Sequence, residues 1–589
     1  MPSACIIPMS LLTKIQMKSI KIFFLVSIFS ILFSGCVGQG FESLNRSESG
    51  VLIEKILPKD TWMVVSVTTK DEGQRAAFDD FIAKFSDGEG FMEKMQSSFD
   101  QIGMDYETDV KPILGENGFR FVMAYSGTDT YAVMTVADTA KAQEWLDAMV
   151  ARGEATMTQL SDTDVYVTAG TDAQGESYTA LLGDMLVVTG SSSSLVNASG
   201  QFKASDAESL LDNTTYMDSV NELSGTYIGY IYTDSEGLEK VSNTTSLPGV
   251  FGAGSSLLSS QIFSFGFEDS YIVFYGYANG DQEKIDEAGI GLDELQGDRW
   301  YLAENVPSGD LVFYDESGSI DKLIDFWVEK SGGNEVGDEI STYVTQYLGM
   351  DFEEDLKSFL DKGYALSING GNDLLPGISI VIDASSNLDS AKEFVDKIDA
   401  QIASIVMLMQ YDASGIGTAF SQNDLEVLGS DFRAVNFDFS GFESLVAAET
   451  VEVVEDVEGG VTTATPTTTA WSLLKGSLIY GVTEDGLLII STYPEWELFD
   501  GEGSVAASQV FANDADWLGN YDDNVFFLDF EEVIDYMDVL DQFSSLIGQV
   551  VPPENSGDLK SYLDNLDSLI FGVKASRYDV EMKGRVGVE

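Results

Sequence analysis

Cys36 has the clearest chemistry in this chain. It follows Phe33-Ser34-Gly35, at the end of an apolar run from Ile22 to Phe33 that the basic stretch Lys18-Ser19-Ile20-Lys21 introduces. Positive charge keeps the start of such a segment on the cytoplasmic side while the apolar run enters the export channel. The run is short for a comfortable membrane span, which takes ~20 residues. Small residues ahead of a cysteine mark a lipoprotein signal box, where the thiol is acylated and the cysteine becomes the new N-terminus. Such boxes usually carry Leu where Phe33 stands. The expectation is a signal peptide over residues 1–35, lipidation at Cys36 and a polar tether over 36–55. An uncleaved signal anchor is the other reading. Met17 is a better start than Met1, so residues 1–16 read as an upstream extension.

Two acidic boxes come next. Asp105, Glu107 and Asp109 alternate along one, and Asp351, Glu353 and Asp355 along the other. Hard cations want several oxygen ligands, so both boxes are weak metal candidates. Val110 and Leu356 stand where a calcium loop needs Gly, and Glu116 and Lys362 fall where its bidentate Glu belongs, with Lys362 unable to fill that role. The plainer reading is a helix start, with Asp105 or Asp351 as the cap and Val110, Ile113 and Leu114 facing the core. Ser319 and Lys322 have a Ser-x-x-Lys spacing without the Ser-Asp-Asn and Lys-Thr-Gly partners of that chemistry. Gly190 to Ser194 reads as a loop after a strand. Asn213 and Asn243 each open an Asn-Thr-Thr glycan acceptor pattern. Trp62, Trp145, Tyr227, Tyr230, Tyr232, Trp471, Trp496 and Trp517 offer a sugar or peptide platform. Their placement along alternating strands makes core packing the default.

Composition removes whole classes of function. Histidine is absent from the 589 residues, which excludes Ser-His-Asp and Cys-His nucleophiles, His-ligated zinc and His-ligated haem. With 98 acids against 31 bases the formal charge is −67, and a nucleic-acid phosphate backbone would be repelled. The other cysteine, Cys5, lies in the leader, so the exported part has no disulfide and relies on its packed core. No cofactor is expected. Paired carboxylates are inevitable among so many acids and mean nothing without a cleft.

These residues must be carried on some scaffold, and the chain repeats itself. Residues Ile102 to Leu114 match Leu348 to Leu360 at seven of thirteen positions. Other landmarks come in the same order: Leu57-Pro58 with Val306-Pro307, a helix at Asp138–Arg152 with one at Asp389–Met407, and Ile262 to Tyr277 with Leu569 to Val588. The reading is repeat A at 56–280, a linker at 281–303 and repeat B at 304–589, with loops near 408–430 and 446–470 lengthening repeat B. Short β-rich runs at 62–67, 119–124, 131–136, 165–168 and 185–189 alternate with amphipathic helices. The expected fold class is α+β: two tandem homologous repeats, each a mainly antiparallel sheet with helices packed on it. A doubly wound parallel sheet is the alternative.

Leu57-Pro58-Lys59-Asp60-Thr61 before an apolar strand, the box from Gly103 to Gly115, the helix at Ala140 to Leu146 and the strand end Leu186 to Ser191 stand in an ordered series. This series resembles a family of exported bacterial envelope proteins carrying a domain of unknown function. The resemblance covers nearly all of repeat A and weakens over repeat B, where Val306-Pro307-Ser308-Gly309 lacks the Asp-Thr and Ser358 replaces the box proline. It implies an envelope location outside the cytoplasm and a two-repeat build, and supplies no catalytic residue. The functional expectation is a non-catalytic interaction module, tethered to a membrane by lipid and meeting an envelope protein or a small ligand. A solute-binding lipoprotein using a cleft between the repeats is the alternative, and a hydrolase a third.

Overall fold

β-Branched and aromatic runs punctuated by Gly, Asp and Ser make short strands, and Asp or Ser before an apolar stripe starts a helix. The computed structural model describes residues 53–84, 110–169 except 116–117, 176–242 except 205–207 and 224–226, and 257–331 except 290 and 296–300. It further describes 334–410 except 371–375, 419–438, 475–546 except 494–498 and 500–502, 560 and 563–588. Cys36, the leader, Asp105, Glu107, Asp109, Asn243, Trp471 and Trp496 lie outside these residues. Two compact units divide the chain between Asn279 and Gly280. Each combines helices with an antiparallel sheet, so the class is α+β.

In the first unit the described strands are β1 (Thr61–Thr68), β2 (Arg120–Ser126), β3 (Asp129–Thr135), β4 (Ala155–Leu160) and β5 (Thr163–Thr168). They continue with β6 (Ser177–Leu182), β7 (Met185–Thr189), β8 (Gly229–Asp234), β9 (Leu258–Glu268) and β10 (Tyr271–Gly280). Their order across the sheet is β10-β9-β8-β1-β2-β3-β7-β6-β5-β4. Helices α1 (Glu72–Lys84), α2 (Thr139–Ala151), α3 (Ser192–Lys203), α4 (Thr214–Asn221) and α5 (Ser235–Ser242) pack on it. One face is sealed by α3, α4 and the 3-10 turn Ile53–Ile56 over Val64, Val122, Tyr131, Val187 and Tyr232.

Local signals explain much of this. Asp138 caps α2 by accepting the Lys141 N–H at 3.0 Å. The β4–β5 hairpin turns on Ser161 and Asp162, both at positive φ, as a two-residue turn matching strand twist requires. Two expectations fail here. Residues 190–194 are not a loop: Ser191 caps α3 through the Ser194 N–H, and Ser192 to Ser194 are its first turn. The run of serines hid the adjoining stripe of Leu195, Ala198 and Ser199. Nor does the tether expected over 36–55 extend to Lys55: Ile53 and Glu54 are already buried in the first unit.

In the second unit the described strands are β11 (Leu311–Ser317), β12 (Tyr364–Asn369), β13 (Gly377–Asp383), β14 (Phe420–Val427) and β15 (Ser430–Asp438). They continue with β16 (Lys475–Val482), β17 (Leu487–Ser491), β18 (Asn524–Asp529), β19 (Leu566–Ala575) and β20 (Asp579–Val588). Their order is β20-β19-β18-β11-β12-β13-β17-β16-β15-β14, antiparallel throughout. The helices are α6 (Gln282–Ala288), α7 (Ile320–Ser331), α8 (Asn334–Leu348), α9 (Leu388–Gln410), α10 (Gln509–Leu518) and α11 (Phe530–Leu546). α10 and the 3-10 turns at Leu302–Asn305 and Val505–Ala507 close one face over Tyr314, Val381, Phe527 and Ile570.

The expected linker is folded into this unit. α6 occupies its first half, and the Leu292 N–H donates to the Arg577 carbonyl at 3.0 Å. Arg577 pairs with Asp286 at 3.2 Å. The expected loop near 408–430 contains a full strand, β14, and α9 reaches Gln410. β14 carries mostly polar, exposed side chains, so it lacks the apolar alternation by which strands are read.

Candidate functional site

Among the described residues, chemistry-bearing side chains gather in buried clusters in each unit and on exposed surfaces outside them. In the first unit, β2 begins with Arg120 and the entering 3-10 turn carries Glu54. Glu54 is fully buried and Arg120 is 3% exposed. The guanidinium spans both carboxylate oxygens, NH1 at 3.2 Å from Oε2 and NH2 closer still to Oε1. It also donates to Ser66 on β1 at 3.2 Å and to the Tyr230 hydroxyl on β8 at 3.1 Å. Tyr216 on α4 completes the chain, 2.6 Å from Tyr230. Burial works against the Arg120 charge, but Glu54 beside it more than offsets this and holds the guanidinium above its usual range. Burial likewise pushes the Tyr230 hydroxyl up to about 12. This arrangement knots five elements together and is closed to solvent, so its chemistry is structural.

The second unit buries an acid held by uncharged donors. Glu316 on β11 is buried, accepts the Leu302 N–H at 3.1 Å and receives the Tyr314 hydroxyl. Burial pushes its carboxyl up to about 7 against these donors. At the β20 end of the sheet, Arg585 pairs with Asp514 on α10, whose other oxygen accepts Ser568 at 2.6 Å. Lys583 lies 3.9 Å above the Trp517 ring, fastening the same helix.

One exposed surface is that of α8 and α9. Tyr343 and Tyr347 stack nearly parallel, centroids 5.9 Å apart, and each is more than half exposed. Gln401 on α9 donates to the Tyr347 carbonyl at 2.9 Å. Beyond it Ile405, Met407 and Leu408 stand in solvent, Leu408 at 72%. In the first unit an open groove of about 690 Å³ runs along Pro58, Lys59, Gln201, Glu208 and Asn213. The Lys59–Glu208 ion pair bounds it at 3.6 Å.

Of the acidic candidates, Asp351, Glu353 and Asp355 lie within the described residues. Asp351 accepts the N–H groups of Glu353 and Glu354 at 2.9 and 2.8 Å. Asp355 accepts the Asp351 N–H at 2.7 Å, and Glu353 accepts Lys357 at 2.9 Å. The three carboxylates thus point at separate partners around one π-helical turn. Among the described residues no group of three acids or cysteines is gathered to hold a metal. Ser319 donates to Asp321 rather than facing Lys322. Tyr230 and Tyr232 are core residues, and Trp62 donates to the Gly127 carbonyl at 3.2 Å. Sequence reasoning missed Glu54, Arg120 and Glu316. A charged residue between β-rich apolar runs is their one local sign. No helix of the described residues is long and apolar enough to cross a membrane.

Comparison with known proteins adds three findings. Crystal forms IV, III and I of TP0453 overlap with the chain at a TM-score of 0.25 and 8–9% identity, covering 39–40% of this chain and 81–82% of theirs. No curated protein matches. A family model described as "Protein of unknown function (DUF3352)" matches residues 20–408.

Proposed function

The chain belongs to the DUF3352 family of proteins of unknown function, and we propose that it is an exported, lipid-anchored protein built from a duplicated α+β repeat and acting by contact, not catalysis. The observation that carries this reading is the apolar surface of α8 and α9, where Tyr343, Tyr347, Ile405 and Leu408 face solvent. Large apolar side chains standing in solvent on two neighbouring helices of a strongly acidic protein are the kind of surface that contact sites use. Support for duplication comes from the strand order, which is the same in each unit when read from its first strand, and from the matched thirteen-residue boxes. Support for export and anchoring comes from the basic-apolar-small-Cys36 series.

Two experiments test this. A photo-crosslinking amino acid placed at Tyr347 in intact cells should capture a discrete envelope protein, and Leu408→Asp should abolish the product. The same crosslinker at exposed Lys392, nearer the start of α9, should capture none. No product at 347, or an equal one at 392, overturns the contact surface. Separately, Cys36→Ser should move the protein from the membrane to the soluble fraction, and unchanged fractionation overturns the anchor.

A further inference from the structure

The last strand of an open sheet presents a row of unpaired backbone donors and acceptors, and proteins that stay apart guard it with charge, proline or a bulge. The two units differ in this respect. β14 ends the sheet of the second unit; it carries Asp424 and Glu426, and Arg433 of β15 pairs with Asp424. β4 ends the sheet of the first unit, and among the described residues it pairs with β5 alone. Its sequence, Ala-Thr-Met-Thr-Gln-Leu, holds no charge and no proline, and its register with β5 runs without a bulge. Thr156, Met157, Thr158 and Gln159 are all exposed, Met157 at 57%.

The β4–β5 turn fixes which backbone groups of this edge are open. A two-residue hairpin closes with the pair flanking the turn, here Leu160 and Thr163, hydrogen-bonded to each other, and bonded pairs alternate with unbonded ones along an antiparallel ladder. Leu160, Thr158 and Thr156 therefore bond to β5, while the N–H and C=O groups of Met157 and Gln159 point away from it. Among the described residues no hydrogen bond reaches these outward groups.

Such an edge is complementary to itself. When two copies meet antiparallel about a two-fold axis, Met157 of one lies opposite Gln159 of the other, and the outward N–H and C=O groups of both strands are satisfied. Thr158 falls on the axis, against its own copy. The chain has a formal charge of −67, so most of its surface would set acid against acid in a contact between copies. β4 brings no charge to the strand pair and avoids this.

We propose that two copies of the chain associate by antiparallel pairing of β4 with β4, which continues the sheet of one first unit into that of the other. The edge is separate from the α8–α9 surface and does not depend on that reading. One strand pair is a small interface, so the association is weak and reversible. It tightens as salt is raised, because screening reduces the repulsion between two acidic chains and leaves the backbone bonds in place.

Sedimentation equilibrium of the full chain, from low to high micromolar concentration, is the test. A monomer–dimer equilibrium that strengthens with salt is expected. Thr158→Lys sets two ammonium groups face to face on the axis and should weaken it about fivefold or more. Val510→Lys adds the same charge at an exposed position of α10 and should dimerise like wild type, which separates the edge from a change in net charge. A monomer at every concentration, a dimer that salt dissociates, or a dimer equally strong in Thr158→Lys overturns the proposal. In the wild-type chain, hydrogen exchange at the Met157 and Gln159 amides must also slow as concentration rises. Unchanged exchange at those amides overturns it whether or not the variant folds.

Discussion

The guanidinium of Arg120 grips the carboxylate of Glu54 inside the first unit, joining the start of β2 to a turn that precedes β1. The two residues are 66 positions apart and both buried. Ser66, Tyr216 and Tyr230 satisfy the remaining donors and acceptors around them. A pair like this is stable as a whole and expensive to halve, because removing one member strands the other charge in the interior.

Arg120→Met alone should therefore destabilise the first unit by about 3–5 kcal/mol. Glu54→Leu together with Arg120→Met should recover most of that loss. Urea unfolding monitored by tryptophan fluorescence measures both, and a double variant as weak as the single one would contradict the account.

Glu316 makes stability depend on pH. Its carboxyl sits at about 7 in the folded chain, against ~4.3 for an unperturbed Glu. The folded state thus holds the proton more tightly than the unfolded state between those values, and stability falls as pH rises through that window. Asp315 at about 6 and Glu532 at about 7 act in the same direction. Thermal melts from pH 4.5 to 8 should show a declining Tm. Glu316→Gln should flatten the decline by on the order of 3 kcal/mol, and an unaltered slope would rule Glu316 out as its source.

Asp351 acts as a cap in this geometry, accepting two backbone N–H groups. Asp351→Ala should cost about 1 kcal/mol, as loss of a capping carboxylate does. The loss should be the same with and without millimolar calcium. A calcium-dependent loss would make Asp351 a ligand instead.

The segment 280–303 belongs energetically to the second unit. Gly280 and Leu292 donate backbone bonds to Tyr578 and Arg577, and Arg577 pairs with Asp286. Residues 280–589 should melt cooperatively by circular dichroism. Residues 304–589 should melt at lower temperature or lose the cooperative transition, and equal melting of the two would mean the segment contributes nothing.

The amino-acid sequence alone determined what depends on near neighbours. The strands β1, β2, β3 and β7 show in their β-rich apolar runs, α2 in its Asp138 cap and apolar stripe, and the α+β class in the alternation of the two. Periodicity and capping act within a few residues, so they are legible without a fold. Tertiary structure decided the rest. Whether Glu54 is a tether residue or a buried anion depends on Arg120, Tyr216 and Tyr230, which only the sheet order brings to it. Whether Asp315 or Glu316 faces the sealed core around Tyr314 depends on the pairing of β11 with β12 and β18, since one step of register would exchange them. The affinity of a buried charge for its proton or its partner comes from everything packed around it, and that packing has no signature in a short stretch of chain.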